Sequence, residues 1–304
     1  MRDNVCILIP TLNEGRTIGS LVKAYREMGF GDVLVIDGHS TDNTVAEATA
    51  AGARVILQSG AGKGTAVQQA FNMIDKDITV MVDGDGTYLP EEVDLLIEPI
   101  ASGVADQVMG NRFANYGKGA FTRLNHLGNK LLNWVFNLTY HVRYRDILTG
   151  YRSFNRNAIR TMSLNQSGFG IETELTVECI KKDLRLCEVP ITYLARQSDS
   201  PTKLDPLGDG FKIGYTIYRL GKTYNPMLYF TVISFALMGI GTLMGLYIVY
   251  DRFLVSPPVD HIPLTILSSL LIIFGFQIFI FGYLIDMIFV SQREMLRDLR
   301  KRLP

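Results

Sequence analysis

The stretch ITVMVDGDGTYLP, residues 78–90, begins with a short apolar run, ITVMVD (78–83), and holds two aspartates one residue apart, followed by turn residues. Such a run, bounded by turn residues, is typical of a strand buried in a parallel sheet. Asp83 and Asp85 then fall at the carboxyl end of that strand, where two close carboxylates repel each other and favour a cation. Mg²⁺ and Mn²⁺ prefer oxygen ligands of this kind, so the pair is a candidate metal site. An ordinary Asp-rich turn is the alternative.

Three further apolar runs precede this strand, and helical patterns alternate with them. The runs are 4–10, 32–37 and 53–58, and the helical patterns are 14–28, 41–51 and 64–75. This alternation predicts an α/β fold with a doubly wound, Rossmann-like sheet, whose ligands bind beyond the carboxyl ends of the strands. Four polar features share those ends and predict one cleft: Pro10 with Thr11, Asp37, the loop 60–64 and the aspartate pair. Asp37 is interpreted as a ligand-binding residue, a cap for the following helix, or both.

The loop GAGKGTA, residues 60–66, does not have the spacing of a Walker phosphate loop. Leu57 stands where the first glycine should be, and Gly64 follows Lys63 where Ser or Thr is needed. We predict a tight glycine turn that places Lys63 near bound phosphate groups. A plain helix-entry loop is an equally open interpretation.

The composition limits the classes of partner. The 304 residues contain 30 Lys and Arg and 30 Asp and Glu, and this zero net charge does not indicate a nucleic-acid partner. The three cysteines are widely spaced and predict reduced thiols, with neither a disulfide framework nor a zinc site.

Two long stretches of the C-terminal part, 227–250 and 264–285, contain no Asp, Glu, Lys or Arg. Each exceeds the ~20 residues that a helix needs to cross a bilayer, so we predict two transmembrane helices. Basic residues flank the pair, whereas the connecting loop 251–263 holds only Arg252 among Lys and Arg. The positive-inside rule then predicts a two-pass protein of the cell membrane with its first domain and both termini in the cytoplasm.

We therefore predict four parts: a catalytic domain at 1–208, a juxtamembrane amphipathic helix at 209–226, a two-helix transmembrane domain at 227–292, and a basic tail at 293–304. A further amphipathic pattern covers 118–140, with apolar residues at spacings of three and four. It is interpreted either as a core helix or as a helix in the membrane interface that guides a lipid. The GxxxG motif in GTLMG, residues 241–245, indicates a homo-oligomer formed through the transmembrane helices.

An ordered set of motifs resembles the inverting family 2 glycosyltransferases. The set is PTLNE (10–14), Asp37, GAGKGTA (60–66), Asp83-x-Asp85 and GNRF (110–113). Farther along, four segments resemble the polyprenyl-phosphate sugar synthases, such as the dolichyl-phosphate mannose synthases, and most closely the archaeal dolichyl-phosphate hexosyltransferases of S-layer N-glycosylation. These are DILTGYRSF (146–154), GFGIETE (168–174), EVPITYLAR (188–196) and TKL (202–204).

The resemblance implies a GT-A fold and an inverting transfer of a hexose from a nucleotide-diphosphate sugar to dolichyl or polyprenyl phosphate for protein N-glycosylation, with Mg²⁺ or Mn²⁺ as cofactor. UDP-glucose ranks first as donor, with UDP-N-acetylglucosamine and GDP-mannose open. A phosphate monoester carries about −1.5 to −2 charges, so it can attack without a protein base. The alternatives are a family 2 enzyme with a different membrane acceptor, or a catalytically silent membrane subunit.

The resemblance also implies roles for individual residues. Catalytic roles fall to Asp85, Arg112, Asp146, Arg152 and Glu174, with Thr149 shaping the reacting end. Donor binding falls to Pro10, Thr11, Glu14, Asp37, Lys63, Asp83, Arg196 and Lys203. Asp83 and Asp85 would hold the metal, and Arg112 and Arg123 the acceptor phosphate. Glu172 rivals Glu174. Asp37-Gly38 and Asn125-His126 depart from the mannose synthases, which leaves the sugar and base of the donor open.

Overall fold

A computed structural model describes residues 2–166, 168, 170–196, 208–224, 226–254 and 262–302. The chain divides into two compact units, Met1–Leu220 and Gly221–Pro304. That division falls inside the segment predicted to be a juxtamembrane helix, and the four-part organisation stays a prediction.

The described part of the first unit contains strands and helices in alternation. The strands are β1 Val5–Thr11, β2 Asp32–Asp37, β3 Arg54–Leu57, β4 Ile78–Met81, β5 Gln107–Tyr116, β6 Arg152–Asn155 and β7 Leu186–Tyr193. The helices are α1 Ile18–Glu27, α2 Thr44–Ala50, α3 Lys63–Met73, α4 Val93–Ala101, α5 Arg123–Tyr140, α6 Arg156–Thr161 and α7 Ile171–Lys181. Helix α8, Gly208–Tyr224, spans the boundary, and α9 Pro226–Leu254 and α10 Ile262–Arg302 follow in the second unit.

The strands form one sheet in the order β3-β2-β1-β4-β6-β5-β7. Strands β1 to β4 pair in parallel, which confirms the strands predicted from the apolar runs. Strand β6 runs antiparallel to both β4 and β5, so the sheet is mixed, a feature that the apolar runs did not predict. As a result, the start of β6 lies at the same edge of the sheet as the ends of its two neighbours.

Both faces of the sheet are covered, as a doubly wound fold requires. Alternate residues of a strand point to opposite faces. Accordingly, Ile7 and Ile9 pack in one core cluster with residues of α1 and α4, while Cys6 and Leu8 pack in a second with residues of α3 and α7. Complete burial of a side chain as large as Ile or Leu contributes about 1.5–3 kcal/mol. Strand β1 is buried along its whole length and anchors both clusters.

Helix α5, which was interpreted either as a core helix or as a helix in the membrane interface, has two different sides. Asn133, Phe136 and Tyr140 are buried on one side. The other side carries five exposed apolar residues at spacings of three and four, here called the outer stripe: Leu124, Leu127, Leu131, Trp134 and Leu138. Helix α8 is built in the same way, with Ile217 buried and Phe211 78% exposed. Neither helix is a plain core helix.

In the second unit, α9 and α10 are both long and apolar enough to cross a membrane over Met227–Phe253 and Ile262–Ile288. These ranges contain the two charge-free stretches predicted to be transmembrane. Helix α10 continues beyond the apolar part to Arg302, so the predicted basic tail at 293–304 is helical as far as it is described.

The two helices of this hairpin approach each other closely at glycines. A β-carbon at Gly241 would lie 2.9 Å from the carbonyl oxygen of Ser268, and one at Gly282 would lie 2.5 Å from the β-carbon of Phe230. Gly245 likewise faces the Ser268 hydroxyl. The GxxxG motif is therefore used within one chain. Self-association through these helices stays a prediction, without support from this motif.

Candidate active site

Most of the residues predicted for the site gather at one edge of the sheet. Strands β1, β2, β4, β5 and β7 all end at this edge, and the antiparallel β6 begins there. The register pairs Met81, the last residue of β4, with Arg152, the first residue of β6. The turn that follows Met81 and the turn that precedes Arg152 therefore lie at the same edge. Thr11 and Asp37, which end β1 and β2, lie there too.

Lys63 occupies the centre of a charged cluster at this edge. Its Nζ lies 2.5 Å from Asp83 Oδ1 and 2.6 Å from Glu172 Oε1. Burial by itself would lower the pKa of Lys63, but the two carboxylates outweigh burial and raise that pKa above its ordinary value. Lys63 is therefore a fixed positive charge between two acidic side chains that start from different elements.

Asp85 and Arg196 form the second half of the charged cluster. Asp85 accepts hydrogen bonds from the amide and the hydroxyl of Thr87, and Arg196 lies 3.8 Å from its carboxylate. Arg196 also pairs with Glu14 at 2.6 Å. Its buried Nε has no hydrogen-bond acceptor among the described residues. Burial and the nearby Asp83 charge raise the pKa of Asp85.

The six side chains of the charged cluster do not balance. Four carboxylates, those of Glu14, Asp83, Asp85 and Glu172, face two cations, Lys63 and Arg196, which leaves a net charge of −2. Carboxylate oxygens are ligands that Mg²⁺ and Mn²⁺ prefer, and the excess negative charge favours a cation here. The arrangement therefore fits a divalent cation at Asp83 and Asp85.

Glycines allow the backbone to bring these groups together. Gly62 precedes Lys63 with φ +93°, and Gly86 follows Asp85 with φ +72°, a region that favours glycine. Gly150 lies directly against the Asp83 carboxylate, so any side chain at Gly150 would collide with it. Gly84 is packed against Thr11 in the same way, since its β-carbon would come within 2.8 Å of the Thr11 methyl group.

The ends of β1 and β2 bring buried polar side chains together near the charged cluster. Asp37 is fully buried and accepts hydrogen bonds from the amide and hydroxyl of Ser40, and Thr11 lies 3.4 Å from its carboxylate. Asp37 thus holds the turn after β2 but does not cap the following helix, because α2 begins at Thr44, after Asn43. Its role in binding a ligand stays a prediction. The buried Pro10 is in register with Ile36 of β2. The neighbouring loop positions Glu14, whose amide donates to Thr44 at the start of α2.

Arg112 and Asp146 form a buried bidentate ion pair. The Nε and one terminal nitrogen of Arg112 donate to the two oxygens of Asp146 at 2.7 and 2.8 Å. The guanidinium carbon lies 5.6 Å from the ring centre of Phe121 and 5.3 Å from that of Tyr193. The charges of Arg112, Asp83 and Asp85 all act on the hydroxyl of Tyr193, so this side chain lies near both the ion pair and the charged cluster.

Arg152, one of the predicted catalytic residues, is completely buried. Its guanidinium donates to the carbonyls of Thr149 and Ile147 and to the hydroxyl of Thr176. Burial lowers the pKa of Arg152 to about 10. In this arrangement Arg152 holds the turn 147–149 in place, and Thr149 is buried within the same turn.

The two glutamates of GFGIETE have different surroundings. Glu172 joins Lys63 in the charged cluster. The carboxylate of Glu174 instead accepts hydrogen bonds from the amides of Asn165 and Gln166 at 2.8–3.0 Å, and burial raises its pKa. The structure thus brings Glu172, and not Glu174, to the residues predicted to bind the donor.

The remaining predicted residues have no place in the cluster. Arg123 is the exposed first residue of α5, and His126 packs among the rings of Phe113, Tyr116 and Phe121. Lys203 lies outside the described residues. Tyr193 was not predicted individually, although it belongs to the EVPITYLAR motif, and only its contact with Arg112 distinguishes it.

Comparisons with known proteins identify the family of the chain. Residues 6–168 match the family described as "Glycosyl transferase family 2". Glycosyltransferase AglJ of Haloferax volcanii is 43% identical over 300 residues, which cover 98% of each chain. The dolichyl-phosphate hexose transferase of the same organism is 33% identical over 72% of this chain and 94% of its own length.

A solved structure shows the same fold. Glucosyl-3-phosphoglycerate synthase of Mycobacterium tuberculosis, in complex with Mn²⁺, UDP-glucose and phosphoglyceric acid, superposes with a TM-score of 0.61 at 23% identity. The match covers 71% of this chain and 79% of that chain. The mixed sheet is thus a GT-A sheet, and the chain belongs to glycosyltransferase family 2.

Proposed function

We propose that the chain transfers a hexose, with glucose from UDP-glucose ranked first, to dolichyl or another polyprenyl phosphate at the membrane, for protein N-glycosylation. One observation carries the proposal: the outer stripe starts beside the site. Phe121, whose ring lies over Arg112, is two residues before the first residue of α5. A lipid lying along that helix would bring its phosphate to Arg112 and Arg123.

On the donor side, Asp83 and Asp85 would hold Mg²⁺ or Mn²⁺, which would neutralise charge on the leaving diphosphate. The buried Nε–H of Arg196 has no acceptor within the described part of the chain, so it could donate to a diphosphate oxygen. Thr11, Glu14 and Asp37 would line the nucleoside pocket, with Pro10 as part of its wall. Lys203 would close over the diphosphate, as the resemblance implies.

At the reacting end, Asp146 fixes the guanidinium of Arg112 through two hydrogen bonds, so this cation has a single orientation. An acceptor phosphate near Arg112 needs no protein base, because it is already charged at neutral pH. The protein then acts mainly by positioning and by charge neutralisation. Arg152 supports the same region by holding the turn 147–149.

The acid that contacts the sugar is best assigned from the contacts of the two glutamates. Glu172 shares Lys63 with Asp83, which places it beside the proposed metal ligands. We therefore assign it to the sugar pocket ahead of Glu174, whose catalytic role stays a prediction.

The membrane arrangement follows from composition. Two helices are apolar enough to span, and α8 presents Tyr215 and Tyr218, an aromatic type that favours the headgroup region. The basic residues that flank both spans support a two-pass protein with the catalytic unit in the cytoplasm. The outer stripe would then rest in the interface of the same bilayer.

The test is label transfer from UDP-glucose, UDP-N-acetylglucosamine and GDP-mannose, in parallel, to dolichyl phosphate. Purified protein with Mg²⁺ or Mn²⁺ should move label from one donor into organic-extractable lipid. Label from another donor would revise the sugar. No lipid label from any donor, in protein that binds the nucleotide, would contradict the lipid acceptor.

A further inference from the structure

We infer that Lys63 is a built-in counter-ion that occupies Asp83 until a metal–diphosphate complex arrives, so that the bare metal binds poorly and enters together with the nucleotide. The inference rests on the proposed function, because it takes Asp83 as a metal ligand. Beyond the proposed function, the ion pairs of Lys63 indicate the form in which the metal enters, namely bound to the nucleotide.

The ammonium of Lys63 stands where a cation shared by two carboxylates would stand. It lies 2.5 Å from Asp83 and 2.6 Å from Glu172, and the side chain of Lys63 is only 14% exposed. Charges that are shielded from solvent are screened far less than surface pairs. The Asp83 charge is therefore already compensated before any ligand binds.

The surrounding backbone holds both partners in place. Lys63 is the first residue of α3 and follows Gly62, and Gly150 backs the Asp83 carboxylate so closely that no side chain would fit there. Lys63 cannot simply be regarded as a mobile surface lysine that drifts towards an acid. A bare divalent cation must displace it from Asp83 or bind against its repulsion.

A metal that carries a nucleoside diphosphate is in a different position, because the phosphate charges offset the charge of the metal. Its phosphate oxygens attract Lys63 and offer acceptors to the Nε–H of Arg196, which has none among the residues that the structure describes. Lys63 can then exchange Asp83 for phosphate while the metal takes Asp83. The same lysine thus opposes the bare metal and favours the metal–nucleotide complex.

The experiment measures Mn²⁺ binding to the full chain by electron paramagnetic resonance, with and without UDP. Lys63→Met should bind bare Mn²⁺ about tenfold more tightly than the wild type and Mn²⁺ with UDP about tenfold less tightly. A lysine that only stabilises the fold would not change the two affinities in opposite directions. Lys63→Arg keeps the charge and should not gain affinity for bare Mn²⁺.

Lys23→Met, which removes an exposed lysine of α1, is the matched control and should change neither affinity. If Lys63→Met does not fold, Lys63→Met combined with Glu172→Gln removes one of the two acids that lose their partner, keeps Asp83 for the metal, and should show the same gain for bare Mn²⁺. If a folded variant gains no affinity for bare Mn²⁺ while the wild type binds Mn²⁺ with UDP, the inference is wrong and the proposed function is not affected. If the wild type does not bind that complex, the proposed function and the inference fail together.

Discussion

The polar edge of the first unit and the helical hairpin of the second bury opposite kinds of residue. At the edge, Lys63 and Arg112 are buried beside carboxylates. In the hairpin, glycines let the helices approach, and Ser234 donates to the carbonyl of Gly275 at 2.6 Å. Both solutions leave these buried polar groups paired, as burial requires. The edge is therefore held by attraction between opposite charges, whereas the hairpin is held by the close fit of small residues between its helices.

Asp85→Asn removes a charge at the edge and leaves the shape of the side chain almost unchanged. It therefore tests the need for charge separately from the need for close packing. We expect transfer to fall by more than about a hundredfold, since even residues that only support a metal ligand can matter by 10–100-fold. The measurement is label transfer into lipid, with thermal unfolding as the control for folding. Full activity of a folded Asp85→Asn variant would remove Asp85 from the metal site.

Two single variants, Glu172→Gln and Glu174→Gln, test whether an acidic side chain matters for transfer only when it belongs to the charged cluster. Glu172→Gln should lower transfer by about tenfold or more, because Lys63 loses one of the two carboxylates that fix its position. Glu174→Gln should retain most of the transfer but lower the free energy of unfolding by about 1–3 kcal/mol, because hydrogen bonds to the amides of 165 and 166 weaken. The reverse ranking in activity would return the sugar-pocket role to Glu174.

In the hairpin, Gly282→Leu adds volume without charge at a point of contact with Phe230. Overpacking of this kind costs about 1–3 kcal/mol, so the detergent-solubilised chain should unfold at a lower temperature. Gly239→Leu is the matched control, because nothing lies within 4 Å of a β-carbon there. Equal effects of the two substitutions would argue against close packing as the basis of the hairpin.

The outer stripe resembles neither the charged edge nor the packed hairpin, since its residues are apolar and exposed. We expect substitutions there to have the smallest effect. Leu127→Ser, at a residue that is 66% exposed, should raise KM for vesicle-bound dolichyl phosphate about threefold and leave kcat unchanged. Val104→Ser changes a residue of matching exposure, 65%, in the loop after α4. If both variants behave alike, the stripe does not contact the bilayer.

The first half of the sheet could be predicted because its strands are simple apolar runs. Strand β2 occupies the predicted range 32–37, and β1, β3 and β4 end within two residues of the ranges predicted for them. The later strands could not be found in this way. Strand β6 is only four residues long and contains Arg152, whose charge is buried against carbonyls that come from a neighbouring turn.

Much of the site was also predictable from where residues fall in the chain. Asp83, Asp85 and Lys63 follow strands or a glycine-rich turn, and the carboxyl ends of parallel strands meet at one edge. Arg112 and Asp146 were named from motifs, but their bidentate pairing was not expected. The choice between Glu172 and Glu174 depended on which side of α7 faces Lys63, and a two-residue spacing does not decide it.

By itself, the sequence determined the family, the α/β class, the apolar C-terminal helices and the candidate residues, because local periodicity and motif order encode these properties. Tertiary structure alone decided which charges meet: Lys63 with Asp83 and Glu172, Arg112 with Asp146, and Arg152 with backbone carbonyls. It also turned one face of α5 outward and placed GTLMG within the hairpin. The reason is physical: an ion pair or a helix contact joins residues that are far apart in the chain, and only the packing of whole elements brings them together.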